Sequence, residues 1–263
     1  MTRRDLRWLT RICIALSLLS ASVARSETAA DLLDRLVQAY PAALAGHDDE
    51  AIIWRDGTRM PVGKLDPQRP FADKLRNATI LDQLSLSYPS GAPSAPAVNA
   101  DPGRFRNEAF FKKMYGDCTA DGVNRHLVTI TWLPKSWGRT VRVTSVNGVA
   151  ERLKQISAEI DELDPKIRRA AFPIAGVLSC RPVADTGRMS MHGYAAAIDL
   201  NLDYSDYWLW NAKKSASTPY KNRFPQEIVE IFERHGFIWG GRWYHYDTMH
   251  FEYRPELLPV GSR

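Results

Sequence analysis

Ala195-Ala196-Ala197-Ile198-Asp199-Leu200-Asn201-Leu202 alternates on a two-residue period. One face carries Ala196, Ile198, Leu200 and Leu202; the other carries Ala195, Ala197, Asp199 and Asn201. This predicts a β-strand with an apolar back and a small, polar front. Asp199 projects from that front, and a carboxylate among such neighbours needs compensation, which a cation supplies. His192 lies a short stretch before the strand and can fold over its start. Further along, Met249-His250-Phe251-Glu252-Tyr253 alternates too, with Met249, Phe251 and Tyr253 on one face and His250 and Glu252 on the other. Asp247 falls outside that alternation and is expected on the turn entering the second strand.

Two imidazoles and one carboxylate form a ligand set for zinc that leaves a position open for water. That is the arrangement of a hydrolytic site rather than a structural one. Asp247, close to the last ligand, supplies the base that such chemistry needs. Against this stands the ordinary reading of buried histidines as satisfied core residues. Six histidines in 263 residues are no enrichment, and no His-Glu-x-x-His pair, the common zinc-protease signature, is present. On ligand chemistry alone both readings stay open.

The remaining sequence predicts an α+β protein. Residues 27–40 carry apolar positions at helical spacing and end at Pro41. Residues 52–60 read as a hairpin turning at Asp56-Gly57. Residues 127–133, 140–146 and 175–181 read as strands. Val149, Leu153, Ile156, Ile160 and Leu163 define one apolar face of a core-packing helix. A last helix is expected from about Pro225 to His235, with Gly236 just past its end. Between Tyr88 and Gly103 the chain is rich in Pro, Ala and Ser and reads as a linker or long surface loop. The expected division is therefore 1–24, 25–87 as an accessory region, 88–104 as linker, and 105–263 as the domain that carries the site.

Residues 1–24 read as a secretory signal peptide: Arg3, Arg4, Arg7 and Arg11, an apolar run from Ile12 to Ala24, then Ser22-Val23-Ala24 as a small-x-small cleavage pattern. The run is 13 residues, short of the roughly 20 that a spanning helix needs; an uncleaved anchor is the alternative. No transmembrane span is expected after cleavage, and the protein is expected in the periplasm or cell envelope. The formal charge of +5 falls to +2 without those residues, which hold four Arg and one Asp. No basic run with interleaved aromatics remains, so nucleic acid is not an expected partner. Two cysteines stay, Cys118 and Cys180. In an exported chain an even count favours a disulfide, and two buried free thiols are the alternative.

Ser190-x-His192-x-x-Ala195-x-Ala197-x-Asp199 with the later Asp247-x-x-His250 resembles the M15 peptidases, the zinc D,D-carboxypeptidases and L-alanyl-D-glutamate peptidases. Their wider fold group includes lysostaphin-type enzymes and the hedgehog signalling domain. The tail Trp239-Gly240-Gly241-Arg242-Trp243 followed by Asp247-Thr248-Met249-His250-Phe251-Glu252 looks like the endolysin-like branch. The resemblance covers roughly residues 175 to 255. It implies a small antiparallel sheet with flanking helices and one Zn²⁺ per chain, bound by His192, Asp199 and His250. It further implies Asp247 as general base and acid, and Arg181 as the residue that steadies the tetrahedral oxyanion. The family usually has glycine where this chain has Ala195.

Ser190 and Trp243 are candidate substrate contacts; Ser190 lacks the Asp-His relay of a nucleophile. His245 is the competing ligand, since it and His250 flank Asp247, with a surface or substrate-facing position as the alternative. The expected function is hydrolysis of peptide bonds in peptidoglycan stem peptides, either release of a terminal D-alanine or internal cleavage. The alternative is a non-catalytic wall-binding or regulatory module that keeps zinc as a structural element.

Overall fold

A computed structural model describes residues 27–183, 186–212 and 219–259. The expected signal peptide lies outside them. In chain order the elements are α1 (Ala29–Ala39), β1 (Leu44–His47), β2 (Ala51–Trp54), β3 (Arg59–Pro61), α2 (Phe71–Arg76), α3 (Ile80–Leu84) and α4 (Glu108–Tyr115). There follow β4 (Leu127–Trp132), β5 (Arg139–Thr144), α5 (Val149–Asp161), α6 (Pro165–Arg168), β6 (Ala197–Asp199), α7 (Trp208–Ala212), α8 (Gln226–Arg234), β7 (Phe237–Trp239) and β8 (His250–Tyr253). The fold is α+β, with three small antiparallel sheets: β1-β2-β3, β4-β5 and β6-β8-β7. Among the described residues no helix is long and apolar enough to cross a membrane.

The third sheet carries the two motif strands side by side. Ile198 pairs with Phe251, and this face is core: the Phe251 ring stacks on Phe232 of α8 at 4.0 Å. Helix α8 turns Ile228, Val229, Ile231 and Phe232 inward, and Gly236 beyond its end takes φ +89°. Helix α5 buries Leu153, Ile156 and Ile160. Each such side chain contributes roughly 1.5–3 kcal/mol by leaving water. One apolar cluster runs from Leu32 of α1 to Leu258.

The strand expected over 195–202 is shorter than its alternation suggests. Ala195 adopts a left-handed conformation, φ 53° and ψ 28°, which interrupts extension at one end. At the other end, Asn201 caps a 3₁₀ turn over Leu202–Tyr204. Leu202 therefore leaves the apolar back and stands 46% exposed. The left-handed region suits glycine, a physical reason for glycine to be usual at this position in the resembling family.

The strand expected over 175–181 does not form. That segment meets β6 only at the bridge between Gly176 and Asp199. Its next backbone donor, Ser179 N–H, goes instead to the His192 carbonyl in the turn before β6. A partner strand of three residues offers no ladder along which to continue. The first sheet gains a strand the sequence did not signal, β1, beside the expected hairpin of β2 and β3.

Residues 101–106 are buried. The Gly103 carbonyl accepts from Arg254, and Gly103 takes φ +99° where a Cβ would fall 2.3 Å from Ile238. The Tyr40 hydroxyl, just past the end of α1, donates to Glu256 at 2.7 Å. Cys118 and Cys180 are joined by a disulfide, with Cα atoms 5.8 Å apart and a sequence separation of 62.

Candidate metal centre

Three local structures deliver the side chains. Ser190 caps the 3₁₀ turn Met191–Tyr194, its Oγ accepting from the His192 backbone N–H at 3.3 Å. Asp199 ends β6 and His250 begins β8, and the antiparallel register pairs them directly. His192 Nε2 lies 3.1 Å from Asp199 Oδ1, His250 Nδ1 lies 2.9 Å from the same oxygen, and the two nitrogens are 3.2 Å apart.

The outer ring nitrogens assign the protons. His192 Nδ1 donates to the Val177 carbonyl at 2.7 Å, and His250 Nε2 donates to Glu252 at 3.0 Å. Both lone pairs then point at the Asp199 carboxylate, so three acceptors meet around one point. Ligands at zinc distances in a tetrahedron stand about 3.3 Å from one another. The observed separations lie within a few tenths of an ångström of that, and the donor set fits a divalent ion. His192, Asp199 and His250 could hold a metal.

The protonation balance of the metal-free site says the same. Burial lowers the basicity of the His250 ring, yet its hydrogen bonds to Asp199 and Glu252 outweigh that and push its pKa up to about 10. Burial alone would raise the Asp199 carboxyl, but the two imidazoles hold it well below the usual range. A positive charge is wanted at this point, as a proton or as a metal ion.

Behind His250 lies a buried ionic chain. Glu252 Oε2, which accepts from His250, also accepts from Arg106 Nη2 at 2.5 Å. Its other oxygen accepts from Arg254 at 3.0 Å, and Arg254 continues to Glu256 at 2.6 Å. Burial would raise Glu252, but Arg106, His250 and Arg254 keep it ionised and well below the usual carboxylate range. Such partners fix the ring of a metal-binding histidine and its tautomer.

Asp247 stands on the turn before β8, as its break in the alternation predicts. Its N–H donates to the Gly240 carbonyl at 3.0 Å. A Cβ at Gly240 would lie 2.5 Å from the Asp247 carbonyl oxygen, so glycine is required for the turn to close. Asp247 Oδ1 is sealed from water and has no hydrogen-bond partner. Burial first, then the Asp199 charge, push its carboxyl up to about 7.

All four residues line one cleft of about 440 Å³. Arg181 is on its wall, exposed, directly after Cys180 of the disulfide. Trp243 is buried beside His250, its indole N–H donating to the Pro102 carbonyl at 2.6 Å. His245 lines the cleft but stands apart from the three-ligand cluster, with its Nδ1 bound to Asp101 at 2.6 Å. Sequence reasoning missed Asp101, Arg104, Arg106 and Trp208. Only Glu252 carried a signal, since it shares a strand face with His250.

An α+β scaffold with a His/Asp/His cluster at the base of a cleft defines a candidate metallohydrolase. Residues 184–253 match an M15 peptidase family model described as D-alanyl-D-alanine carboxypeptidase, a family of hydrolases acting on peptides. The match spans both motif strands, and the resemblance read from their residues holds. No curated protein and no solved structure matches the chain.

Proposed function

We propose that the protein is an exported zinc metallopeptidase that hydrolyses peptide bonds in peptidoglycan stem peptides. The observation that carries this reading is the convergence of His192 Nε2, His250 Nδ1 and Asp199 Oδ1 within 3.2 Å of one another. Two neutral imidazoles and a carboxylate suit zinc among the common divalent ions.

His192, Asp199 and His250 would hold the ion, which when bound supplies Lewis acidity to water and to a peptide carbonyl. Asp247 takes the proton of the attacking water on its carboxylate and returns it to the leaving amine. A carboxyl near pKa 7 is matched to both duties around neutral pH. The Arg181 guanidinium donates to the oxyanion that develops on the carbonyl oxygen. Ser190 holds the turn that carries His192, and Trp243 packs against the His250 ring. An orphaned, raised carboxylate beside the ligands favours catalysis over a purely structural ion, which needs no base.

The test is incubation of the metal-loaded protein with purified muropeptides, with products weighed by mass spectrometry. Loss of one alanine identifies the carboxypeptidase, and a split inside the stem identifies the endopeptidase. No product from any stem peptide, at full metal occupancy, sinks the reading.

A further inference from the structure

Six aromatic rings form a continuous row that runs past the metal centre. Centroid to centroid, Phe105 lies 5.3 Å from Phe71, and Phe71 lies 6.0 Å from His245. His245 lies 4.7 Å from Trp208, Trp208 6.4 Å from Tyr207, and Tyr207 6.0 Å from Trp210. Phe105 and Phe71 line a hollow of about 480 Å³, together with Asp66, Lys74 and Asn99. The row from His245 to Trp210 lines the cleft that holds the three candidate ligands. Backbone and side-chain bonds fix it there. Tyr207 bridges to Asp247, the Trp208 N–H donates to the Tyr246 carbonyl at 3.0 Å, and His245 Nδ1 donates to Asp101 at 2.6 Å. Yet most of these rings are not core: Phe71, His245, Tyr207 and Trp208 are half-buried, and Trp210 is 47% exposed. A contiguous run of open rings marks a binding surface.

We propose that this row binds the glycan strand to which the stem peptide is attached, so that the protein acts on peptides carried by β-linked amino sugars in preference to free peptides. The inference rests on the peptidoglycan reading of the same cleft. A pyranose ring has a face of C–H groups, which sits on the electron-rich face of an aromatic ring. Its hydroxyls point sideways and need polar partners. His245 supplies one: with its Nδ1–H given to Asp101, Nε2 presents a lone pair that accepts from a hydroxyl. Asp66, Lys74 and Asn99 supply others at the hollow. Rings in series suit a polymer of repeating sugars, whereas a short peptide with its scissile bond at the three-ligand cluster has no use for them. A membrane surface calls for protruding rings, and these line concave surface. Phe71, Asp101 and Phe105 precede the matched segment, so the row is completed by chain outside it.

The probe is glycan strands stripped of their stem peptides, titrated into the metal-loaded protein by calorimetry. Wild type is expected to bind them. Trp210→Ala, which removes an exposed ring, should bind about tenfold more weakly, the scale of one lost aromatic contact. Trp210→Phe, which keeps a ring, should recover most of that loss. Phe71→Ala, towards the other end of the row, should weaken binding by a similar factor. In hydrolysis, wild-type kcat/KM should be about tenfold higher for a glycan-linked stem than for the free stem, on the same scale. Both alanine variants should lower that ratio, through KM rather than kcat. Absence of strand binding by wild type, binding that neither alanine variant weakens, or equal wild-type rates on the two stems overturns the proposal and leaves the peptidase reading intact. Binding to anionic lipid vesicles but not to strands assigns the rings to a membrane and overturns it too. Strand binding with no cleavage of any stem sinks the peptidase reading and leaves the strand-binding row standing.

Discussion

Asp199 and His250 are register partners: the last residue of β6 faces the first of β8, and Oδ1 and Nδ1 stand 2.9 Å apart. The sheet itself brings two candidate ligands together, and the capped turn at Ser190 needs to add only His192. Two of the three candidate ligands are thus set by backbone hydrogen bonding rather than by mobile loops, which favours a metal site of fixed geometry.

Loss of either cross-strand partner should therefore empty the site. Asp199→Asn and His250→Ala are expected to lose stoichiometric metal, measured by elemental analysis after dialysis, while α8 and the core face at Phe251 stay folded by circular dichroism. Retention of one metal per chain by both variants would remove the centre from where it is drawn.

Asp247 should separate binding from turnover. Asp247→Ala is expected to keep its metal and lose hydrolysis; wild-type turnover in that variant would show the base to be another group. Its ionisation also predicts a pH effect in the metal-free protein. The folded pKa of about 7 lies above the unfolded value, near 3.9 for aspartate. The carboxyl is then stabilising in its protonated form below pH 4, and that contribution is lost as pH rises towards 7. Asp247→Asn, which cannot ionise, should gain thermal stability over wild type between pH 4 and 8, on the order of 4 kcal/mol at the upper end. Parallel melting curves across that range would contradict it.

Glu252 orients His250 and is itself held by Arg106 and Arg254. Glu252→Gln should weaken metal binding about 10- to 100-fold in chelator competition. It should also destabilise the fold by about 3 kcal/mol, because two buried guanidiniums lose their carboxylate. Unchanged metal affinity would confine Glu252 to packing.

Gly240→Ala probes the turn under Asp247. The added methyl would lie 2.5 Å from the Asp247 carbonyl oxygen, so the turn must shift. Turnover should fall by at least tenfold, on the scale of a misplacement of about 1 Å, with metal content retained. A variant as active as wild type would mean that Asp247 tolerates displacement.

The disulfide between Cys118 and Cys180 closes 62 residues, which on chain-entropy grounds stabilises the fold by about 4 kcal/mol. It also anchors the residue before Arg181. Cys118→Ser with Cys180→Ser should lower Tm and reduce kcat more than metal affinity. Equal kcat in the double variant would detach Arg181 from this anchor.

What could be read from the chain alone was periodic or local. Alternation placed Asp199 opposite Ile198 and His250 with Glu252, and the strands bear this out. Helical spacing marked α5, Pro225 and Gly236 marked the ends of α8, and the break in alternation put Asp247 on a turn. These are consequences of backbone geometry, which repeats every two or 3.6 residues and so leaves its mark in sequence order. Where local signals misled, a tertiary hydrogen bond won: Ser179 pairs with His192, and 175–181 is not a strand.

The pairing of Asp199 with His250, the grip of Asp101 on His245 and the reach of Arg106 to Glu252 were decided only by the folded chain. The last two join residues 144 and 146 apart. Such contacts carry no period and need no fixed spacing. They form because buried charges must find opposite charges once the core has closed around them.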